Sequence, residues 1–342
     1  MSASIRKIAI FVVLGLVIGL PSAIAQTTLK LATVAPDGTT WMREMRSAAE
    51  MVETATEGRV RIKFYPGGVM GNAPTVLRKM RIGQLHGGAF TSGELAGLYP
   101  DFFVYGIPFL FHGRDEVRFV RAELDDRLRE GLKARGLTML GIAGGGFAYL
   151  MSDSEITSGE DLINAKVWVP EGDEVSALSL ELAGVSPIPL PLSDVYTGLQ
   201  TGLIDTVVNT PAGAIAFQWH TKVDYLTDVP VAYVVGVLAV DNKAIDRLSE
   251  SDRRMLIDIM SSALERLEEI NEADNIEAKA VLSKEGITAV EPAADEMEFW
   301  HELAGKTVTE LEQSGRLEFE LLDDIQELLR TYRARAAVEQ HQ

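Results

Sequence analysis

Apolar positions along the chain change rhythm every few residues. Leu29 to Val34 is a short apolar run ended by Ala35-Pro36-Asp37-Gly38, which reads as a strand. Met42, Met45, Ala48 and Val52 then recur at near-helical spacing, predicting a helix from about Thr40 that Gly58 closes. Val60, Ile62 and Phe64 alternate with polar residues up to Pro66-Gly67-Gly68, as a strand does. A helical stretch from Ala73 to about Gly83 and a short strand from Gly87 to Phe90 follow. The order β-α-β-α-β with short connections predicts a mostly parallel, doubly wound sheet.

The pattern then restarts. Leu137 to Ala143 reads as a strand ended by Gly144-Gly145-Gly146, and Ser158-Gly159-Glu160-Asp161 as a helix cap. Lys166 to Val169 is a strand stopped by Pro170, Ser193-Asp194 opens a helix that Gly202 ends, and Leu203 to Val208 is a strand finishing at Asn209. Two α/β units therefore lie in tandem. From Ser249 to Glu285 neither Pro nor Gly interrupts a helical apolar pattern, which predicts a helix of about 50 Å at 1.5 Å per residue, long enough to run across both domains. Ala294 to Tyr332 is helical in pattern and strongly charged, a covering layer. Ligands of open α/β sheets bind beyond the carboxyl ends of strands, which nominates Ala35-Pro36, Thr91-Ser92, Gly144 to Phe147, Pro170-Glu171 and Asn209.

Residues 1–25 stand apart. Arg6 and Lys7 precede an uncharged run from Ile8 to Leu20, Pro21 breaks it, and Ala23-Ile24-Ala25 predicts cleavage before Gln26. The run is shorter than the about 20 residues that span a bilayer, so a cleaved signal peptide, export to the periplasm and a soluble mature chain are expected. The formal charge of the 342-residue chain is −18, from 32 basic and 50 acidic residues. Losing Arg6 and Lys7 takes it to −20, a sign that repels nucleic acid. The absence of cysteine excludes disulfides, thiolate metal sites and cysteine nucleophiles.

Catalytic signatures are missing. There is no G-x-S-x-G elbow, no phosphate-binding loop and no H-E-x-x-H pair. Gly141 to Gly146 fails the dinucleotide spacing and reads as a tight strand-end turn. The five histidines show no i,i+4 pairing, so no metal and no cofactor is expected. Glu265, Glu268, Glu269, Glu272 and Asp274 read as a solvated helix face. Binding without catalysis is the expectation, with a sensory binding protein or a periplasmic enzyme as the alternatives.

Several segments resemble one family. Val60 to Met70 reads V-R-I-K-F-Y-P-G-G-V-M, Tyr105 to Phe111 reads Y-G-I-P-F-L-F, and Pro189 to Asp205 reads P-L-P-L-S-D-V-Y-T-G-L-Q-T-G-L-I-D. With Glu160-Asp161-Leu162 and the strand at Lys166 to Pro170, the chain resembles the periplasmic solute-binding proteins of TRAP transporters, the DctP-type family, over roughly residues 28 to 330. The resemblance implies a two-domain flytrap with a long helix shared by both domains, delivering a small organic solute to TRAP membrane permease subunits. It implies domain I at 26–144, completed by about 235–274, domain II at 145–234, completed by about 275–332, and a tail at 333–342.

Most members hold the ligand carboxylate with an arginine in a K-[IV]-R-V-P strand. Here the strand reads Lys166-Val167-Trp168-Val169-Pro170, so Trp168 replaces that arginine. A second arginine often lies about twenty residues earlier, a position that falls on Phe147. A glutamate used for metal bridging in keto-acid-binding relatives is Val208, and Asn209 beside it remains a polar contact. An ionised carboxylate costs several kcal/mol to desolvate without a cation or strong donors. The departure thus implies an apolar, amphipathic or uncharged solute walled by Trp168 and Phe147. It resembles an atypical branch, certain members of which work with a tetratricopeptide-repeat accessory protein.

The alternative is a dicarboxylate or keto acid held by backbone donors around Gly145 together with Asn209. Trp41 and Phe90 lie beside predicted strand ends and either line the cleft or fill the core. Thr91 and Ser92 either donate to a ligand or cap the next turn. Glu171 and Asp173 face solvent or the cleft rim and matter if the ligand is positively charged.

Overall fold

The computed structural model describes residues 26–314 and 320–339. The signal peptide expected at 1–25 lies outside the described residues. From the N-terminus, β1 (Thr27–Ala32), α1 (Thr40–Ala55), β2 (Val60–Tyr65), α2 (Ala73–Arg81), β3 (Gly87–Thr91), α3 (Ser92–Ala96) and α4 (Arg114–Ala134) lead into a long strand, β4 (Leu137–Ser152). Then α5 (Gly159–Asn164), β5 (Trp168–Pro170), α6 (Glu174–Leu182), β6 (Ile188–Leu190), α7 (Val195–Thr201), β7 (Thr206–Asn209) and α8 (Pro211–Ala216) precede a second long strand, β8 (Tyr225–Asp241). The chain continues through α9 (Asn242–Ile245), α10 (Glu250–Lys284), β9 (Thr288–Val290), α11 (Ala294–Ser314) and α12 (Leu322–Glu339).

Local chemistry sets these boundaries. Thr39 Oγ1 accepts the Met42 N–H to start α1, Asn72 Oδ1 accepts the Thr75 N–H to start α2, and Ser249 Oγ accepts the Asp252 N–H to start α10. Gly202, left-handed at φ 69°, ends α7 where the sequence places the stop.

The main sheet has the order β2-β1-β3-β8-β4-β7, with β9 beside β8, and β5-β6 form a second small sheet. Its flanks are parallel: β1 pairs with β2 and β3, and β9 with β8. Its middle is antiparallel, because β8 opposes both β3 and β4, and β4 opposes β7. β4 and β8 stay paired from Leu137–Asp241 to Ser152–Tyr225, so one ladder joins both lobes. The expected strand end at Gly144-Gly145-Gly146 is therefore not an end. The ladder shifts register there and again between Ala148 and Leu150, and β4 runs on to Ser152.

In the first lobe, Phe102, Tyr105, Leu124 and Leu128 pack on one face of the sheet, and Leu29, Met45, Val52 and Leu264 on the other. The second lobe has its own core around Trp168, Trp219, Val207 and Met151. The 35-residue helix α10 serves both, as its length predicts: Leu256, Met260 and Leu264 lie in the first lobe, and Leu282 packs with the second. The C-terminal segment is divided. α11 packs on α5 and α6, whereas α12 returns to α4, where Leu321, Ile325 and Leu329 join the first-lobe core. Arg333, expected in a tail, donates from Nε and Nη2 to the buried Glu116 carboxylate at 2.8 Å each.

Where β4 crosses between the lobes, α10 supplies what the irregular backbone lacks. Gly144 N–H donates to Glu268 Oε2 (2.9 Å), Asn271 Nδ2 donates to Gly144 O (3.0 Å), and Asn275 Nδ2 donates to Gly145 O (2.7 Å). Arg121 of α4 bonds the same Glu268 carboxylate and also Asp125. The acidic stripe of α10 is thus only partly a solvated face. Glu265 and Glu269 are exposed, but Glu268 holds the crossing, Glu272 pairs with Arg114, and Asp274 accepts from Thr40 Oγ1.

Replacing Glu268 with Ala should leave the Gly144 N–H without its acceptor and Arg121 with Asp125 alone, lowering the unfolding free energy by about 2–4 kcal/mol. Urea denaturation of wild type and Glu268→Ala measures this. A loss within the roughly 0.5 kcal/mol of an ordinary surface substitution would show that the crossing does not depend on α10.

Candidate functional site

A cavity of about 390 Å³ lies between the lobes. The carboxyl ends of β1, β3, β5 and β7 deliver Ala35, Thr91-Ser92, Pro170-Glu171 and Asn209 to its wall, as the strand-end rule predicts. β4 contributes Ala148 and Leu150, and β8 contributes Val231 to Val234. The sheet bulges at this point: Ala148 faces Ala232, but Leu150 already faces Thr227, leaving Asp228 to Val231 outside the ladder. Pro230, which has no N–H to give a central strand, sits in that gap. Val231 O instead accepts the Phe109 N–H at 2.7 Å. Phe109 holds a left-handed φ of 56° with its ring edge-on to Trp300, and both rings line the cavity.

Of the residues expected to bind, Trp168, Asn209, Val208, Thr91, Phe90 and Trp41 all line this cavity. The Trp168 indole donates Nε1–H to Leu190 O (3.0 Å) and meets Trp219 edge-on at 5.2 Å, so the ring is held rigidly and its donor is already used. Asn209 Oδ1 accepts the Thr210 N–H (2.8 Å), which leaves the amide nitrogen to offer a ligand. Thr91 is a cap: its Oγ1 accepts the Glu94 N–H, while Glu94 Oε2 accepts the Thr91 N–H at 2.8 Å.

Phe147 and Gly145 do not belong to this wall. The bulge at Gly144–Gly146 sets the strand's alternation so that Ala148 faces the cavity and Phe147 turns to the opposite face. There Phe147 meets Tyr233 edge-on at 5.1 Å, in a separate hollow with Arg114, Glu272 and Lys279. The Gly144 N–H is spent on Glu268, so the glycine turn is no anion cradle for the cleft.

The cavity's electrostatics run opposite to a carboxylate site. Among the described residues no Lys, Arg or His lines it, whereas Glu94, Glu171 and Asp173 do. Glu171, at the mouth, accepts Asn72 Nδ2–H (2.6 Å) across the cleft. Asp173 accepts from both Ser176 N–H (3.0 Å) and Ser176 Oγ–H (2.8 Å), capping α6. Burial nevertheless pushes Asp173 up to about 6, overriding those donors. Burial also raises Glu94, and the nearby Asp173 charge adds to the effect. Sequence patterns expose these acids only as T-x-x-E and D-x-x-S caps, which say nothing of where the outward oxygens point. Among the described residues, no group of three His, Asp or Glu side chains converges to hold a metal ion.

The Asp173 shift has a definite sign. As pH rises from about 4 to about 6, the unfolded chain releases this proton while the folded protein keeps it, so ligand-free stability falls through that window. Asp173→Asn preserves the cap and should remove this part of the slope. Thermal midpoints of both proteins between pH 4 and 7 test it, and parallel curves would mean that Asp173 is solvated.

The chain matches the DctP family model, described as bacterial extracellular solute-binding protein, family 7, over residues 31–314. The C4-dicarboxylate-binding periplasmic protein DctP of Rhodobacter capsulatus is 23% identical over 296 residues, 85% of this chain and 88% of that protein. A TRAP periplasmic solute-binding protein from Desulfovibrio salexigens with bound orotic acid has the same fold. Its TM-score is 0.81 at 19% identity, over 91% of this chain and 99% of that one. The sugar acid binding protein DctPAm of Advenella mimigardefordensis, in complex with galactonate, gives a TM-score of 0.83 at 19% identity over 90% and 98%. Among the described residues, no helix is long and apolar enough to cross a membrane. The family model spans most of the chain and the fold agrees along nine-tenths of it, so the chain belongs to the DctP family of TRAP-transporter solute-binding proteins, which are not enzymes.

Proposed function

We propose that this protein is exported by cleavage before Gln26, captures a small organic solute in the interlobe cavity and delivers it to TRAP membrane subunits, with a tetratricopeptide-repeat protein as a candidate intermediary. The observation that carries this reading is the cavity itself, about 390 Å³ with walls from both lobes. It is closed at one side by Ala96, Phe103 and Ile107 of the first lobe packed on Val175 and Leu178 of α6. A solute touching both walls favours the closed form, which the permease reads as a population shift. In this reading the lobes divide near residues 144 and 234, where β4 and β8 cross.

A hydrophobic ligand, the expectation from Trp168 and Phe147, does not stand. The neighbours above hold orotic acid and galactonate, Phe147 faces away, and three carboxylates line the cavity. The proposed solute is amphipathic. A flat apolar part lies against Trp41, Phe90 and Trp168, and hydrogen-bonding groups meet Asn209 and Ser92. A small carboxylate bound through Asn209 Nδ2 is the second reading, favoured by the acids in the neighbours. It must overcome repulsion from Glu94 and Asp173 without a cation in the wall.

Native mass spectrometry of the mature protein, purified without denaturation, should show one small organic compound at one-to-one stoichiometry, released unchanged. Val208→Trp, which fills the cavity, should abolish its retention. A compound that the protein converts on re-incubation, or one retained equally by Val208→Trp, would sink the binding-protein reading.

A further inference from the structure

We infer that the cleft selects a ligand carrying a positively charged nitrogen, seated between Glu94 and Asp173, with its apolar body on the aromatic walls. This rests on the cleft being the ligand site. The cavity marks the site, and the acids say what it takes.

The two carboxylates come from opposite lobes. Glu94 lies in α3, directly after β3, and Asp173 caps α6 after β5. Asp173 Oδ2 lies 3.5 Å from where a Cβ on Gly93 would sit, so the closed cleft brings Asp173 against the α3 turn that carries Glu94. Capping accounts for part of this chemistry and not for all of it. A serine or asparagine caps as well as an acid does, without bringing charge into a closed space. Glu94 takes its cap bond on Oε2, and its carboxylate lines the cavity together with that of Asp173.

Two like charges near one another in a poorly hydrated cavity repel, and among the described residues the wall holds no Lys, Arg or His to offset them. A ligand cation supplies that missing partner. An anionic ligand adds a further like charge, so the same acids reject it, and specificity arises from repulsion as much as attraction. A bare metal ion fits less well, because among the described residues no three carboxylates converge. An organic cation also suits the rest of the wall. Trp41, Phe90, Trp168 and Phe217 present the apolar and π surfaces that favour the body of such a molecule.

The test uses the mature chain, freed of endogenous ligand by unfolding and refolding, and two matched probe sets measured by calorimetry. Tryptamine, tryptophol and indole-3-acetate share one body and differ in the charge of the head; phenethylamine, 2-phenylethanol and phenylacetate repeat the comparison. The amines should bind at least about tenfold tighter than the alcohols, and the acids weakest. Glu94→Gln and Asp173→Asn should each reduce amine affinity about tenfold while leaving alcohol affinity within about threefold. Amine binding no tighter than alcohol binding, no amine binding, or tighter binding of the acids overturns the inference. Val208→Trp separates this from failure of the site. Acid binding abolished by Val208→Trp keeps the cleft and discards the cation, whereas any probe binding that survives Val208→Trp discards the cleft itself.

Discussion

A backbone that bends in the interior must find hydrogen-bond partners outside its own ladder, and the crossing of β4 between the lobes depends on this. At Gly144–Gly146 the ladder with β8 slips, and the strand would leave carbonyls and an N–H unsatisfied. Glu268, Asn271 and Asn275, on successive turns of α10, meet Gly144 N–H, Gly144 O and Gly145 O. Arg121 then neutralises Glu268 from α4. Two helices, α10 directly and α4 through Arg121, thus clamp one irregular strand, and the clamp lies behind the cavity. It also fixes which residues face forward. With the slip in place, Ala148 and Leu150 line the ligand wall, and Phe147 packs behind on Tyr233. Tyr233 itself is pushed up to about 12 by burial and the neighbouring Glu268 charge, so its hydroxyl stays neutral beside the clamp.

The front of that sheet carries the opposite electrostatic design. Trp168 lines the cavity from β5, and its N–H is committed to Leu190 O. A pocket whose described wall lacks a cation is either apolar or acidic. Here Glu94 and Asp173 decide for the second, because each is an acid where a neutral cap would serve. The overall charge of −18 points the same way but could not locate it, since most of the 50 acidic residues are solvated.

Most of the frame was legible in the sequence because local signals and packing agree. Met42, Met45, Ala48 and Val52 are all buried on α1, and an uninterrupted run without Pro or Gly became the 35-residue α10. Trp168 and Asn209 reached the cavity because both sit at strand ends, where position follows from topology. Illegible parts share one cause: partners distant in sequence overrode local signals. Three consecutive glycines read as a turn, yet α10 keeps the strand going, about 125 residues downstream in sequence. Pro230 argues against a central strand, yet β8 accommodates it by bulging where no N–H is needed. The one-residue placement of Phe147 failed because a bulge, invisible in alternation, reverses the face.

These two faces of the sheet bear on how closure responds to a ligand. The apolar contact of Phe103 and Ala96 with Val175 and Leu178 favours the closed form whether or not a ligand is present. Left alone, it would close the empty protein and waste the signal to the permease. Glu94 and Asp173 oppose it, since closing brings their charges together in a cavity from which much water is excluded. A cation between them converts that opposition into attraction, so the same pair biases the open form when empty and the closed form when filled. Shifting a two-state equilibrium from 1:99 to 99:1 needs about 5.5 kcal/mol of differential binding. Reversing the sign of one buried charge interaction is among the few local changes of that size. The arginine of a carboxylate site favours its ligand by attraction alone; paired acids add a penalty on closing without one.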